Sequence, residues 1–126
     1  MKLRIKGASL RLRLTQGEVR ALGEGAALEE HVPFGGGVQL TYRLQPQAGA
    51  GQISASLAGS VLEISVPEEM ARRWCASQEV TLAGTQAAGS QALRITVEKD
   101  FACLAPRSDE DESDNFPHPD TGAKVC

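Results

Sequence analysis

The sequence predicts an α+β domain of about seven or eight short, predominantly antiparallel strands with two short helices, arranged as a curved sheet or a small barrel. Apolar and polar residues alternate along most of the 126-residue chain, which is the period of half-buried strands. Two segments interrupt this alternation with signals typical of helix starts. Aromatic residues make up 4% of the chain, so Leu, Val, Ile and Ala must fill the core.

The chain opens with two alternating stretches, residues 2–6 and 10–14, joined by a short connection that contains Gly7. This arrangement predicts a β-hairpin with a basic second face. Residues 27–33 also have strand character, but Pro33 cannot donate a ladder hydrogen bond. We therefore predict an edge strand there.

Two helices are predicted from their termini. Thr15 and Glu18 have the spacing of a capping box, in which each side chain accepts a hydrogen bond from the other residue's amide. The segment from Pro67 to Trp74 begins with proline and two acids and has two arginines toward its end, which suits the helix macrodipole. Trp74 is predicted to anchor the second helix in the core.

The remaining alternating stretches predict further strands, joined by a flexible loop at residues 45–51 and shorter turns. We expect the strands between residues 38 and 66 to pair in chain order as a β-meander, and we recognise no internal repeat. The further strands are predicted at residues 38–44, 53–57, 61–66, 79–83 and 91–99.

Charge divides the chain into a body and an arm. Residues 1–105 hold 11 Lys/Arg against 10 Asp/Glu, whereas residues 106–126 hold 2 against 6. We predict one β-rich domain over 1–105 and an acidic, proline-containing C-terminal arm over 106–126. A balanced body and an acidic arm disfavour nucleic acid as a partner.

The three cysteines are widely spaced and odd in number, which is not typical of a secreted disulfide framework. The start of the chain lacks the charged and apolar segments of an export signal. No apolar run reaches the roughly 18 residues of a membrane span. A cytoplasmic location without membrane attachment is therefore expected.

Segments near both ends carry a family resemblance. The chain has KLRIKGASLRLRLT at its start and VEKDFACL and DNFP near its end. Together they resemble a family of short bacterial proteins known only as a domain of unknown function. The resemblance covers nearly the whole chain and implies no assigned chemistry.

Strands lined with Lys and Arg are also similar in architecture to the triphosphate tunnel metalloenzymes. In that family, inward-facing basic and acidic residues hold triphosphate and a divalent metal, and the N-terminal signature is acid-x-acid-x-Lys. Here the corresponding stretch runs from Lys2 to Lys6 and has Lys2 and Arg4 where the acids belong. This departure puts metal-dependent catalysis of that kind in doubt.

Cys103, His118 and Cys126 form the candidate metal site. Thiolate and imidazole are preferred ligands of zinc and other divalent transition metals, and such a site could fix the arm. The spacing is loose and contains no CxxC pair. We favour the alternative that Cys103 is a buried thiol and that the other two residues lie on a frayed tail.

The acidic part of the arm gives a second candidate. Its oxygen-bearing residues echo a calcium loop, but Asp114 replaces the required glycine and the last ligand is Asp instead of Glu. We favour a solvated acidic run. The alternating residues concerned are Asp109, Asp111, Ser113 and Asn115, with Asp120 at the last ligand position.

A basic face is the third candidate, and it could bind phosphate or carboxylate through guanidinium groups if its side chains converge. In an open sheet they would face solvent or be covered by the acidic arm, which we favour. Arg43 and Arg94 could join this face. Its core members are Lys2, Arg4, Lys6, Arg11 and Arg13.

The arm is also predicted to dock, on the body or on a protein partner. Phe116 offers one apolar anchor and Pro117 stiffens the backbone, while Asp109 and Asp111 could meet the basic face. His31 and His118 lack a Ser or Cys partner in sequence context, so nucleophilic catalysis is not indicated. The sequence thus favours a non-enzymatic binding module, with a phosphate-ester or polyphosphate enzyme as the alternative.

Overall fold

The fold consists of two four-stranded sheets and two helices, which confirms the α+β prediction. The computed structural model describes residues 1–49, 51–101 and 114–117. Within these residues, no helix is both long and apolar enough to cross a membrane. The elements are β1 (Lys2–Ile5), β2 (Ser9–Leu14), α1 (Gln16–Gly23), β3 (Leu28–Gly35), β4 (Val38–Gln47), β5 (Ser54–Ala58), β6 (Val61–Pro67), α2 (Glu68–Cys75), β7 (Thr81–Ala88) and β8 (Gln91–Lys99).

The strands do not pair as a meander. The first sheet has the order β1-β2-β8-β7 and the second has β3-β4-β6-β5, and the central pair of each sheet, β2 with β8 and β4 with β6, is parallel. Alternation reveals which face of a strand is buried but not which strand lies beside it. The predicted loop at 45–51 was also wrong at its start, because β4 continues to Gln47 along its parallel partner β6.

An internal repeat is present in the structure although the sequence did not reveal it. The first half of the chain is a β-β-α-β-β unit, and so is the second. By position in the unit, β2 corresponds to β6 and β4 corresponds to β8. The parallel pair of β2 with β8 is therefore equivalent to the parallel pair of β6 with β4. The two halves have the same order of elements and the same buried positions, but different residues at those positions. For example, Leu22 on α1 and Trp74 on α2 occupy equivalent positions, and both are buried.

Both sheets and both helices contribute to one core. Trp74 is its largest fully buried side chain, at 1% exposure, as predicted from the sequence. The apolar residues of β2, β4, β6 and β8 belong to the same core cluster, so both parallel pairs contribute to the centre of the fold. Fully buried strand residues are Leu12, Leu14, Leu44, Ile64, Val66, Ile95 and Val97.

Both helix predictions are confirmed, and the two helices pack closely. The Thr15 hydroxyl accepts from the Glu18 amide and the Glu18 carboxylate accepts from the Thr15 amide, which completes the capping box. A Cβ added at Gly23 would lie 2.8 Å from the Cβ of Cys75, so only glycine fits there. The Cys75 thiol donates to the Val19 carbonyl at 3.0 Å, and burial raises its pKa.

Side chains bridge the edges of the two sheets. The Gln86 amide on β7 donates to the Ala55 carbonyl on β5 at 2.8 Å and accepts from the Ala55 amide at 2.7 Å. At the opposite edges, the Met1 amino group beside β1 lies 3.1 Å from the Glu30 carboxylate on β3, and the Tyr42 hydroxyl on the neighbouring strand β4 donates to the Met1 carbonyl at 3.0 Å. The inner faces therefore enclose the core, and the outer faces of the sheets remain polar.

Candidate anion-binding site

Strand register places the predicted basic residues on one outer face of the first sheet. In the β1–β2 hairpin, Lys2 pairs with Arg13 and Arg4 pairs with Arg11. Lys6 follows β1 and exchanges two backbone hydrogen bonds with Ser9. Because side chains alternate along a strand, these residues point away from the face that buries the β2 leucines. The sequence thus identified the face correctly.

Residues from three neighbouring strands line a depression of about 310 Å³ on this face. The parallel β2–β8 register brings Arg94 beside Ser9 and Thr96 beside Arg11. The described residues of the lining include four cations and two hydroxyl groups but no carboxylate. They are Arg4, Lys6, Ser9, Leu10, Arg11, Arg94 and Thr96.

Three of the four cations of the depression have no acidic partner among the described residues. Arg4 stands directly opposite Arg11, and like charges at such positions destabilise a sheet. Within residues 1–49, 51–101 and 114–117, Arg4, Lys6 and Arg94 make no hydrogen bond or ion pair through their side chains. All three side chains are exposed, so their charged groups are available to a dissolved anion.

The other end of the same face is neutralised by acids. Lys2 lies 3.2 Å from the Asp100 carboxylate. Arg13 donates to the Glu98 carboxylate at 2.7 Å, and Arg11 lies 3.8 Å from the same carboxylate. Lys2 and Arg13 therefore have acidic partners and lie outside the depression, Arg11 lines the depression and shares Glu98 with Arg13, and Arg4 and Lys6 line it without an acidic partner among the described residues.

Arg43 does not join the basic face, which corrects that part of the prediction. It lies on β4, in the second sheet, where it donates to Glu29 at 2.7 Å and to Glu63 at 3.0 Å. These hydrogen bonds raise the pKa of the Arg43 guanidinium. His31 lies on the same sheet, 3.0 Å from the Thr41 hydroxyl and 3.1 Å from Glu29. This second outer face is a network of opposite charges.

The described part of the predicted arm lies against the first helix. Asp114 accepts from two amides at the start of α1, through its carbonyl from Gln16 at 2.9 Å and through its carboxylate from Gly17 at 3.1 Å. An acidic group at a helix N-terminus is favourable because of the macrodipole. The sequence pattern did not predict this contact, because Asp114 and the start of α1 lie almost a hundred positions apart in the chain.

Phe116 packs at the end of the body. Its ring meets that of Phe101 edge to face, with centroids 5.6 Å apart. Its amide donates to the Asp100 carbonyl at 2.7 Å. Lys99 lies between aromatic rings, its Nζ 5.5 Å from the Phe116 centroid and 5.3 Å from that of Trp74, and burial lowers its pKa. The segment 114–117 thus covers a buried cation.

The predicted metal ligands Cys103, His118 and Cys126 lie outside the described residues. The same is true of Asp109 and Asp111, predicted to dock, and of Ser113 and Asp120 in the acidic run. Within the described part of the chain, no three His, Cys, Asp or Glu side chains are grouped to hold a metal ion. The zinc or transition-metal site of the arm therefore stays a prediction.

Comparison with known proteins assigns the chain to a family through one of three comparisons. Neither the comparison with curated proteins nor that with solved structures finds a match. A family model described as a family of unknown function, DUF7009, matches residues 1–120. This match spans both sheets and both helices, together with the basic depression. The chain therefore belongs to the DUF7009 family of unknown function.

Proposed function

We propose that this protein is a binding module for phosphate-like anions, with the depression on the outer face of the first sheet as its site. The observation that carries the proposal is the set of four cations that line one depression of about 310 Å³ without a carboxylate among the described lining residues. Guanidinium groups recognise phosphate through paired N–H donors, and Lys adds a point charge. The Thr96 hydroxyl is a further available donor.

The second sheet supports this proposal as an internal comparison. The pairing of Leu12 with Val97 in the first sheet is equivalent to the pairing of Ile64 with Leu44 in the second. The residues before Leu12 and Ile64 therefore occupy corresponding positions, and these residues are Arg11 and Glu63. An acid therefore stands in one half where Arg11 stands in the other. Since the same strand arrangement forms without the basic cluster, the fold itself does not require those charges.

A small anion suits the depression better than a nucleic acid does. Single-stranded nucleic acids are held by basic grooves combined with aromatic platforms, and the described lining residues include no aromatic side chain. The net charge of the chain is −3, which opposes long-range attraction of a polyanion. We therefore propose a small-molecule ligand instead of a phosphate backbone.

Titration with inorganic orthophosphate at low ionic strength tests the proposal. Saturable binding with NMR shifts at Arg4, Ser9, Arg11 and Thr96 is expected. The variant Arg4→Gln/Arg11→Gln should lose at least about tenfold in affinity, because a hydrogen bond to a charged group contributes about 1.5 kcal/mol or more.

The matched control removes two exposed arginines elsewhere, Arg20→Gln/Arg73→Gln. It changes the net charge equally and should keep the affinity within about twofold, since screening weakens distant surface charges. Equal losses in both variants would show nonspecific attraction. Absence of saturable binding to the unmodified protein would refute the proposal.

Transition-metal binding by Cys103, His118 and Cys126 remains a separate proposal for the arm. It rests on the ligand chemistry of thiolate and imidazole. Elemental analysis of untagged protein purified anaerobically should find one zinc or similar ion per chain, and the Cys103→Ser/Cys126→Ser variant should lose it. Metal-free protein with a freely reactive Cys126 would contradict this proposal without affecting the anion site.

A further inference from the structure

We infer that the ligand of the basic depression carries two phosphoryl groups, each held by one row of basic side chains. This inference rests on the proposed anion site and names its ligand class as a diphosphate. It follows from three features of the face: the arrangement of the cations in two rows, their total charge, and the position of Glu98 at one side.

The cations occupy two successive rows across the strands. Arg4 on β1 and Arg11 on β2 form the first row, continued by Thr96 on β8. Lys6 forms the second row with Arg94, on either side of Ser9. Successive outward positions on a strand are about 6.6 Å apart. A ligand with two linked anionic groups can contact both rows at once. To contact both rows, a single phosphoryl group requires the side chains of both rows to bend toward the same position.

The charge of the depression also favours two phosphoryl groups. Three arginines and one lysine provide four positive charges, of which Glu98 partly neutralises that of Arg11, and arginine does not deprotonate in proteins. One phosphate monoester carries about −1.5 to −2 at neutral pH, which leaves about half of this charge uncompensated. Two linked phosphoryl groups compensate most of it and relieve the repulsion between Arg4 and Arg11, which face each other across the strands.

Glu98 fixes the direction in which the ligand extends. Its carboxylate lies 3.8 Å from Arg11 and 2.7 Å from Arg13, and it would repel an anion beyond Arg11. The second group is therefore directed away from Arg13 and toward the second row. That row contains Lys6 and Arg94, which have no ion-pair partner among the described residues.

Isothermal titration calorimetry with pyrophosphate and with orthophosphate, at matched ionic strength, tests this inference. Pyrophosphate should bind the unmodified protein at least about tenfold more tightly than orthophosphate. In the second-row variant Lys6→Gln/Arg94→Gln, the affinity for pyrophosphate should fall to near that for orthophosphate, while the affinity for orthophosphate changes by less than about threefold. The Arg20→Gln/Arg73→Gln variant serves as the charge-matched control and should keep the preference.

The outcomes separate the inference from the proposal beneath it. If both anions bind with affinities within about twofold, the two-phosphoryl inference fails and the anion site stands. A second-row variant that still prefers pyrophosphate tenfold would also overturn the assignment of the second group. If neither anion binds saturably, the anion site and the inference both fail. Circular dichroism of each variant must match that of the unmodified protein for its affinities to count.

Discussion

Replacing Trp74 with alanine is expected to lower the free energy of unfolding by about 3–5 kcal/mol, the range for deleting a large buried aromatic side chain. Trp74 is 1% exposed and belongs to the core that both sheets share. Small domains are stable by only about 5–15 kcal/mol, so the variant should lose a large part of its stability. Urea denaturation measures the loss. It is followed by circular dichroism instead of tryptophan fluorescence, because Trp74 is the one tryptophan of the chain and the variant lacks it.

Two further substitutions separate packing from other effects. Trp74→Phe keeps much of the volume and removes an indole N–H that has no hydrogen-bond partner among the described residues. It should therefore cost less than half as much as Trp74→Ala. Arg73→Ala changes the exposed neighbour on α2 and should cost less than about 0.5 kcal/mol. A Trp74→Ala variant as stable as Arg73→Ala would contradict the central place of this side chain.

A chain that ends at Ala105 is expected to lose about 2 kcal/mol of stability. The truncation removes Asp114 from the start of α1, where an acidic group contributes about 0.3–1 kcal/mol. It also removes Phe116, which is half-buried against the body and so contributes part of the roughly 1.5–3 kcal/mol that full burial of such a side chain gives. Lys99, now between the rings of Trp74 and Phe116, would become hydrated on one side.

A chain that ends at Pro117 is the matched control for this truncation. It keeps the four described residues of the arm and should be as stable as the full chain within about 0.5 kcal/mol. The full-length variant Asp114→Ala/Phe116→Ala should reproduce most of the loss. If ending the chain at Ala105 changes the midpoint of denaturation no more than ending it at Pro117, the contacts of 114–117 do not stabilise the body. The arm would then be free for a partner.

Sequence reasoning succeeded where the information is local. The alternation of Leu10, Leu12 and Leu14 with basic residues fixed both the strand and its faces, and the capping box at Thr15 fixed the start of α1. Strand partners could not be predicted in this way, because hydrogen bonding between backbones leaves little trace in the side-chain pattern. The parallel pairing of Leu12 with Val97 is such a case.

The candidate site shows the same division. The basic face followed from the period of β1 and β2, whereas the inclusion of Arg94 and the exclusion of Arg43 depended on which sheet each strand joins. The contact of Asp114 with α1 was likewise out of reach, because helix caps are usually supplied by neighbours in sequence.

The pairing of the two halves also determines when the protein can fold. Each sheet takes one hairpin from each half, so an isolated half would have two separate two-stranded ribbons, which are marginally stable in water. During synthesis the second sheet cannot be completed until β6 has been made, and the first sheet must wait for β7 and β8, although both hairpins of the first half exist earlier. High contact order of this kind slows folding. The nascent first half therefore exposes the apolar faces of its hairpins until the second half arrives, and this is the period in which the chain is most exposed to aggregation.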